Sequence, residues 1–412
     1  MSSFSLPRAP MARPGVTPGL QPKLSRVHQS PSTVNPTLQL YLKRIKTEID
    51  HRQDEWDRFK KCTNPCEYVH TPVPGGKSAV CRLRPLSRSF YKMIELLHMY
   101  SLCDDLPDAA VTFHFAEGPG GFIEALVHQR QSSTNDTHFG MTLLDDTDPA
   151  VPGWKKSKTF LSRNRQVHIL KGADGSGSLF SADNLERCAR EHEGTADLVT
   201  GDGGFDFSLD FNQQEDASLR LIMAQIAFCL AVQKPGGTFI LKVFDTFTQA
   251  SIDVLYLLSS LYNSVSAAKP STSRQANSEK YLVCRDYRGL GDRGVADALA
   301  DCVEKMGQGF NVTRLYNYPL PHYYTMRVEE LNAVLGQQQI ESIAGTLGLM
   351  DLTKQDRLEA LRKANVQKCI GWCQRHRLPY NRSVCATNIF LAARGSPRRG
   401  GRAYEATRDE MI

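Results

Sequence analysis

The sequence predicts an α/β fold around a mainly parallel seven-stranded sheet whose last strand is antiparallel. Three observations predict it. Short apolar runs alternate with helical stretches from about residue 110 to residue 286. The intervening helices are long enough for the crossovers that parallel pairing requires. The first strand ends in a glycine-rich turn that opens directly into a helix, FHFAEGPGGFIEAL (Phe113–Leu126).

The elements follow in order. Residues 1–36 are expected to be extended or disordered, and 37–61 to be helical through Leu38, Leu42, Ile45, Ile49, Trp56 and Phe59. NPCEYVHTPVPGG is a loop by its prolines and glycines, and SRSFYKMIELLHMY (Ser87–Tyr100) a second helix. Strands are expected at 110–116, 138–144, 166–171, 196–201, 238–244, 264–269 and 280–286. Helices are expected at 120–131, 181–192, 214–233 and 248–261. Only a loop separates the last two strands, which allows a hairpin and an antiparallel partner. Beyond residue 290 the chain is expected to be helical over 292–306 and 328–376. The division is thus an N-terminal arm (1–36), a helix and loop (37–85), a sheet domain (86–290), a helical C-terminal region (291–394) and a disordered basic tail (395–412).

At 412 residues and 41% hydrophobic, the chain can bury a large core, which excludes wholesale disorder. A net charge of +6 permits a nucleic-acid partner without demanding one. The 11 cysteines form no disulfide framework, which favours an intracellular setting in the nucleus or cytoplasm, with free thiols. No apolar run is long enough to span a membrane. The first acidic residue is Glu48, as in an organelle transit peptide, but seven prolines between Pro7 and Pro36 break the amphipathic helix such peptides need.

The turn E-G-P-G-G-F has the wrong glycine spacing for the dinucleotide pattern G-x-G-x-x-G. A carboxylate at the strand end suits a cationic ligand such as S-adenosylmethionine (SAM) better than a pyrophosphate. Asp145 ends the next strand, where a carboxylate accepts ribose hydroxyls. Asp174 ends the third, placed to read an adenine amino group. Asp202 follows the fourth strand in ADLVTGDGG. Lys242 lies in the fifth, among Phe239, Ile240, Leu241, Val243 and Phe244. An ammonium within such a run is costly unless paired. Lys242 is therefore either a lysine reaching water at a strand mouth or a catalytic amine beside Asp202.

With these residues in place, the chain resembles the RrmJ/FtsJ superfamily of SAM-dependent RNA 2′-O-methyltransferases, and more narrowly the Adrift-type cap methyltransferases of eukaryotes and large DNA viruses. Their Lys–Asp–Lys–Glu tetrad is matched by Lys92 in SRSFYKMIE, Asp202 in GDGG, Lys242 in LKVFD and Glu279 in NSEKYLVC. NPCEYVHTP, PGWKKSKTFL, GADGSG and FDFSLDFNQQE match as well, over residues 40–290. The resemblance implies a Rossmann-like class I methyltransferase fold with SAM as cofactor; methyl transfer itself requires no metal, though the resemblance does not exclude one helping to bind the cap. It also implies cofactor contacts at Glu117, Gly118, Pro119, Gly120, Gly121, Phe122, Asp145, Asp174 and Asp202. Lys242 would be the base and Lys92 the second cation, with Asp202 and Glu279 orienting the two amines.

RNA is the expected partner, most specifically the 5′ end of capped mRNA methylated at its first or second nucleotide. Trp154, Lys155, Lys156 and Lys158, with Arg163 and Arg165, interleave an aromatic with cations, as a phosphate backbone and stacked base require; a solvated charged loop is the other reading. Arg84 and Arg88, with Arg82, lie just ahead of Lys92. Ribosomal or transfer RNA methylation, a catalytically inactive subunit and a Rossmann dehydrogenase are the alternatives. The C-terminal helices could bind a polymerase, another capping enzyme or a second copy of the chain. VPGGKS lacks the first glycine and the strand of a phosphate loop. Cys62, Cys66 and His70, and Cys369, Cys373 and His376, lack the Cys-x-x-Cys of a structural zinc site.

Overall fold

The protein is described from a computed structural model covering residues 2–9, 19–26, 33–131, 133, 135–145, 147–148, 151–204, 214–289, 293–352 and 355–381. In chain order the strands are β1 (Ser2–Ser5), β2 (Lys23–Ser25), β3 (Val111–Phe115), β4 (Thr137–Met141), β5 (Val167–Leu170), β6 (Ala196–Gly201), β7 (Gln233–Val243), β8 (Tyr262–Lys269), β9 (Lys280–Tyr287) and β10 (Asn311–Arg314). The helices are α1 (Pro36–Asp50), α2 (Gln53–Thr63), α3 (Ser89–Met99), α4 (Leu102–Asp105), α5 (Gly121–Gln129), α6 (Lys158–Arg163), α7 (Ala182–His192), α8 (Gln214–Val232), α9 (Gln249–Leu261), α10 (Arg293–Gly307), α11 (His322–Leu352) and α12 (Gln355–Arg375).

Eight strands form one sheet in the order β1-β8-β9-β7-β6-β3-β4-β5. The block β7-β6-β3-β4-β5 is parallel. Strand β9 runs antiparallel to both β7 and β8, so the expected hairpin is present. The strand order reverses at β3, where chain connections leave to opposite sides; ligand crevices form at such a switch point.

Three expectations need correction. The sheet has eight strands rather than seven, because Ser2–Ser5 adds as β1 along the outer edge of β8. Residues 2–9 and 23–25 are therefore not a disordered arm. Leu6 and Ala9 are buried, and β2 pairs with β10, a strand the sequence reading placed in no element. The expected helix over 37–61 is two helices, broken between Asp50 and Gln53. The stretch 205–213 within FDFSLDFNQQE and the tail 395–412 lie outside the described residues.

Two cores sandwich the sheet. One lies under α8, α9 and α10 and takes Phe239, Leu241 and Val243 from β7 and Leu282 and Cys284 from β9. The other lies under α3, α5 and α12 and takes Ile240, Tyr281 and Val283. Strand residues alternate between faces. That alternation sends Lys242 to the second face, toward the helix that carries Lys92. A third cluster joins α1 and α2 (Ile49, Trp56, Phe59) to α11 (Ile343, Leu349, Met350).

Candidate active site

Four of the expected residues converge at the carboxyl end of β6 and β7. Lys92 projects from α3 and Glu279 stands just ahead of β9; the ammonium meets the carboxylate at 2.7 Å. Lys242, near the end of β7, donates to the Asp202 carbonyl at 2.7 Å and reaches Asp202 Oδ1 at 3.3 Å. Gly204 leaves room for this amine, since a Cβ there would sit 3.0 Å from Lys242 Nζ.

Electrostatics tie the two pairs together. Burial pushes the Lys92 ammonium below the ordinary lysine value, Glu279 and Asp202 oppose that push, and Arg88 and Lys242 add to it. Burial raises the Glu279 carboxyl, but Lys92, Lys242 and Lys269 overcome it and hold the group well below the carboxylate range. Glu279 also accepts from Ser273 Oγ at 2.7 Å.

Tyr281 completes the centre, and the sequence reading missed it. Its hydroxyl donates to Asp202 Oδ1 at 2.9 Å. It is the direct cross-strand partner of Lys242, and its fully buried ring lies 5.8 Å from Lys92 Nζ. Burial keeps the phenol protonated well above pH 10, so it is a donor. The available signal was its two-residue offset from Glu279, which puts both on one face of an extended segment.

The β3–α5 turn is shaped by its glycines. Gly120 has φ +105°, a conformation that disfavours any side chain. A Cβ on Gly118 would lie 2.7 Å from the Gly153 carbonyl. Glu117 is 3% exposed; its Oε1 accepts from the Phe122 amide at 2.5 Å, while Oε2 is buried with no hydrogen-bond partner. Burial, then Asp202, raises the Glu117 carboxyl well above its ordinary value.

The other expected cofactor residues are engaged locally. Asp145 Oδ1 accepts from the Thr147 amide and hydroxyl at 2.8 and 2.6 Å, closing its own loop. Asp174 Oδ1 accepts from Ser176 and from Asn184 Nδ2 at 2.9 Å, and these bonds hold its carboxyl at about 2. It borders a cavity of about 550 Å³ beside the ends of β4 and β5, lined also by Met141, Leu170 and Gly175.

The RNA expectations divide. Lys155, Lys156, Lys158 and Arg84 are exposed. Trp154 is not a free stacking platform: a Cβ on Gly140 or Gly120 would meet its six-membered ring at 2.7 or 3.1 Å. The half-buried indole packs in the gap those glycines leave. Arg88 is half-buried, with Nη2 donating to the Thr272 carbonyl at 3.1 Å. Among the described residues no group of three or more His, Cys, Asp or Glu is placed to hold a metal ion, and no helix is long and apolar enough to cross a membrane.

A mostly parallel sheet with a glycine-rich first turn at its switch point is the architecture of an open α/β ligand-binding domain. Residues 85–287 match the FtsJ-like methyltransferase family, and the chain carries an FtsJ-like methyltransferase domain over that span. It is similar to cap-specific mRNA (nucleoside-2′-O-)-methyltransferase 2 of Danio rerio, 29% identical over 81% of this chain and 46% of the relative. The protein of the same description from Drosophila melanogaster is 27% identical over 74% of this chain and 45% of the relative. Cap-specific mRNA (nucleoside-2′-O-)-methyltransferase 1 of Trypanosoma brucei brucei is 33% identical over 49% of this chain and 56% of the relative. The chain thus spans about half the length of the curated relatives it matches.

Proposed function

We propose that this chain methylates the ribose 2′-hydroxyl of the first or second nucleotide of capped RNA, with SAM as donor. The observation that carries the reading is the pairing of Lys92 with Glu279 and Lys242 with Asp202, bridged by Tyr281, within an FtsJ-like domain. The names borne by its relatives supply the substrate class.

The residues fit the cofactor. Glu117 Oε2 is a buried acceptor without a partner beside a turn of bare backbone, and a cationic ligand suits such a site. Gly118, Pro119, Gly120, Gly121 and Phe122 would approach SAM through the backbone, with Asp145, Asp174 and Asp202 as its polar neighbours. When bound, SAM supplies an electrophilic methyl group.

The chain's own residues do the rest. Lys242 Nζ takes the proton of the ribose hydroxyl as that oxygen gains the methyl group. Base assistance of this kind contributes roughly 10²–10⁴-fold. Holding the hydroxyl in line contributes several kcal/mol more, about 7 in favourable cases. To act as the base the amine must offer a free lone pair to the hydroxyl proton. Asp202, fixed by Tyr281, aims the Lys242 amine; Glu279, fixed by Ser273, aims Lys92.

A cavity of about 170 Å³ lies behind the β8–β9 hairpin that carries Glu279. It is lined by Trp56 and Ile49, by the amides of Asn64, Gln214, Asn277 and Gln339, and by Lys46, Lys60 and Arg274. Amides for a base edge, an aromatic wall and cations for phosphate suit the capping nucleotide. Lys155, Lys156, Lys158, Arg84 and Arg88 would receive the rest of the RNA. A capped-RNA substrate would be met in the nucleus or cytoplasm.

The test is transfer of labelled methyl from SAM to short capped and uncapped RNAs, by wild type and Lys242→Ala, with products mapped by nuclease digestion. Nuclease-resistant label at the first or second ribose, lost in the variant, is the expected result. Equal labelling of uncapped RNA would move the substrate to ribosomal or transfer RNA. Absence of both transfer and SAM binding would leave an inactive RNA-binding subunit.

A further inference from the structure

Each arm of the Lys92–Glu279 pair brings an arginine with it. Arg88 sits at the N-terminus of α3, one turn before Lys92. Arg274 lies in the β8–β9 hairpin, five residues before Glu279. Arg274 is held rigidly: its Nη2 and Nε donate to Glu67 Oε1 and Oε2 at 2.9 and 3.2 Å. Asn64 and Thr71 in turn fix Glu67, at 2.9 and 3.1 Å.

Arg88 has no such carboxylate. The only hydrogen bond of its side chain among the described residues is to the Thr272 carbonyl, and its Nε is buried with no partner. Burial, then the neighbouring Arg274 guanidinium, lowers its pKa, with Glu67 and Glu279 opposing the shift. His70 senses the same positive field: burial, then Arg88, pushes its imidazole down to about 4. Helix α3 adds its dipole, because its first turn contains no acidic residue. Arg274 has its carboxylate in Glu67, whereas Arg88, partly desolvated beside it, donates to no carboxylate among the described residues and can take an anion.

We propose that Arg88 and Arg274 clamp a single phosphate of the RNA, the one on the 5′ side of the nucleotide whose ribose is methylated. The inference rests on the function proposed above and adds a subsite to it. The planar fork of a guanidinium matches phosphate oxygens. Arg274 borders the cavity assigned to the capping nucleotide, and Arg88 adjoins Lys92 at the reaction centre. A phosphate between the two therefore lies between cap and acceptor ribose. Glu67 orients Arg274 rather than competing for the ligand, since both its oxygens are taken from the other side.

The experiment measures affinity for a short capped RNA against KCl concentration, using the full chain as wild type, Arg88→Gln, Arg274→Gln and the double variant. One lost phosphate contact lowers the slope of log affinity against log salt by roughly 0.7 on single-stranded nucleic acid. Each single variant and the double variant are expected to lose this same amount, because they hold one phosphate. A methylphosphonate on the 3′ side of the target nucleotide should cost wild type its own increment, and that loss should add to that of Arg88→Gln. Arg88→Lys keeps the charge and should keep the slope while losing affinity, which guards against a folding artefact.

Unchanged slopes in both single variants would overturn the clamp. A loss of about 1.4 in the double variant would overturn the sharing of one phosphate. An Arg88→Gln effect that vanishes on the methylphosphonate RNA would overturn the 5′ assignment. Failure of wild type to methylate any capped RNA, with these slope changes intact, would strike the proposed reaction and leave the clamp standing.

Discussion

Replacing Glu279 by glutamine tests whether the reaction centre is held by charge or only by shape. The substitution keeps the volume and removes one formal charge. In the wild type both side chains of the Lys92–Glu279 pair are 9% exposed, and the contact is 2.7 Å. Breaking such a buried pair from one side costs about 3–5 kcal/mol, because the remaining charge is left uncompensated. Lys269 keeps its hydrogen bonds to the Glu279 carbonyl and to Asn277 in this variant, so the cost falls mainly on Lys92. The assay is a urea unfolding series on wild type, Glu279→Gln, Lys92→Met and the double variant. Glu279→Gln should be the least stable, and adding Lys92→Met should recover most of the loss. The acid dependence has a definite sign. The Glu279 carboxyl is depressed in the folded state, so its stabilisation is complete above its ordinary value of 4.5 and fades as pH falls below it. Wild type should therefore lose more stability than Glu279→Gln below pH 4.5. A cost under about 1 kcal/mol, or a double variant no better than Glu279→Gln alone, would refute the reasoning.

Three further outcomes follow from single contacts. Tyr281→Phe removes a hydrogen bond to a charged acceptor, worth about 1.5–3 kcal/mol, and should lower kcat roughly 10- to 100-fold in the methyl-transfer assay and the thermal midpoint by a few degrees. Gly121→Ala places a Cβ 2.2 Å from both Ser87 Oγ and Ser89 Oγ, so unfolding in urea should show a loss of about 1–3 kcal/mol, relieved by glycine at 87 and 89. Glu67→Gln removes a carboxyl that burial would raise but Arg274 holds at about 2. Wild type should lose on the order of 3 kcal/mol relative to Glu67→Gln as pH falls from 4.5 toward 2, followed by thermal unfolding.

The legible parts of the fold were those with local causes. The run Phe239–Phe244 is apolar on alternate faces of one strand, so both its existence and its burial could be read directly. Lys242 stood out for the same reason. Strand β1, Ser-Ser-Phe-Ser, could not be read, because its strand state comes from the free edge of β8 rather than from its own residues. Tyr281 reads locally as an ordinary strand tyrosine; only the pairing register puts it opposite Lys242. Glu67 and Arg274 are 207 residues apart, and no local pattern announces such a contact. Trp154 was legible only in part. Its basic neighbours suggested a stacking surface, but Gly120 and Gly140 were the gap its ring fills.

The C-terminal helices matter to this site more than the family match suggests, since that match ends at residue 287. Helix α12 buries Val366, Cys369, Trp372 and Cys373 in the core that also contains Tyr91, the neighbour of Lys92. The Trp372 ring packs edge-on against Tyr91 at 5.8 Å. Helix α11 supplies Gln339, which holds the Ala276 carbonyl of the Glu279 hairpin at 3.0 Å, and the apolar wall that covers Trp56 and Phe59. A chain cut after residue 290 would expose both faces at once. Uncovering a single large aromatic contact costs about 3–5 kcal/mol, a large fraction of the roughly 5–15 kcal/mol that holds a domain together. The truncated chain should therefore be recovered in aggregates, or as a soluble form whose thermal midpoint falls by about ten degrees or more. If it keeps the full chain's midpoint and its methyl transfer, the helices are accessory, and the cavity walled by Gln339 and Ser342 has no part in binding substrate.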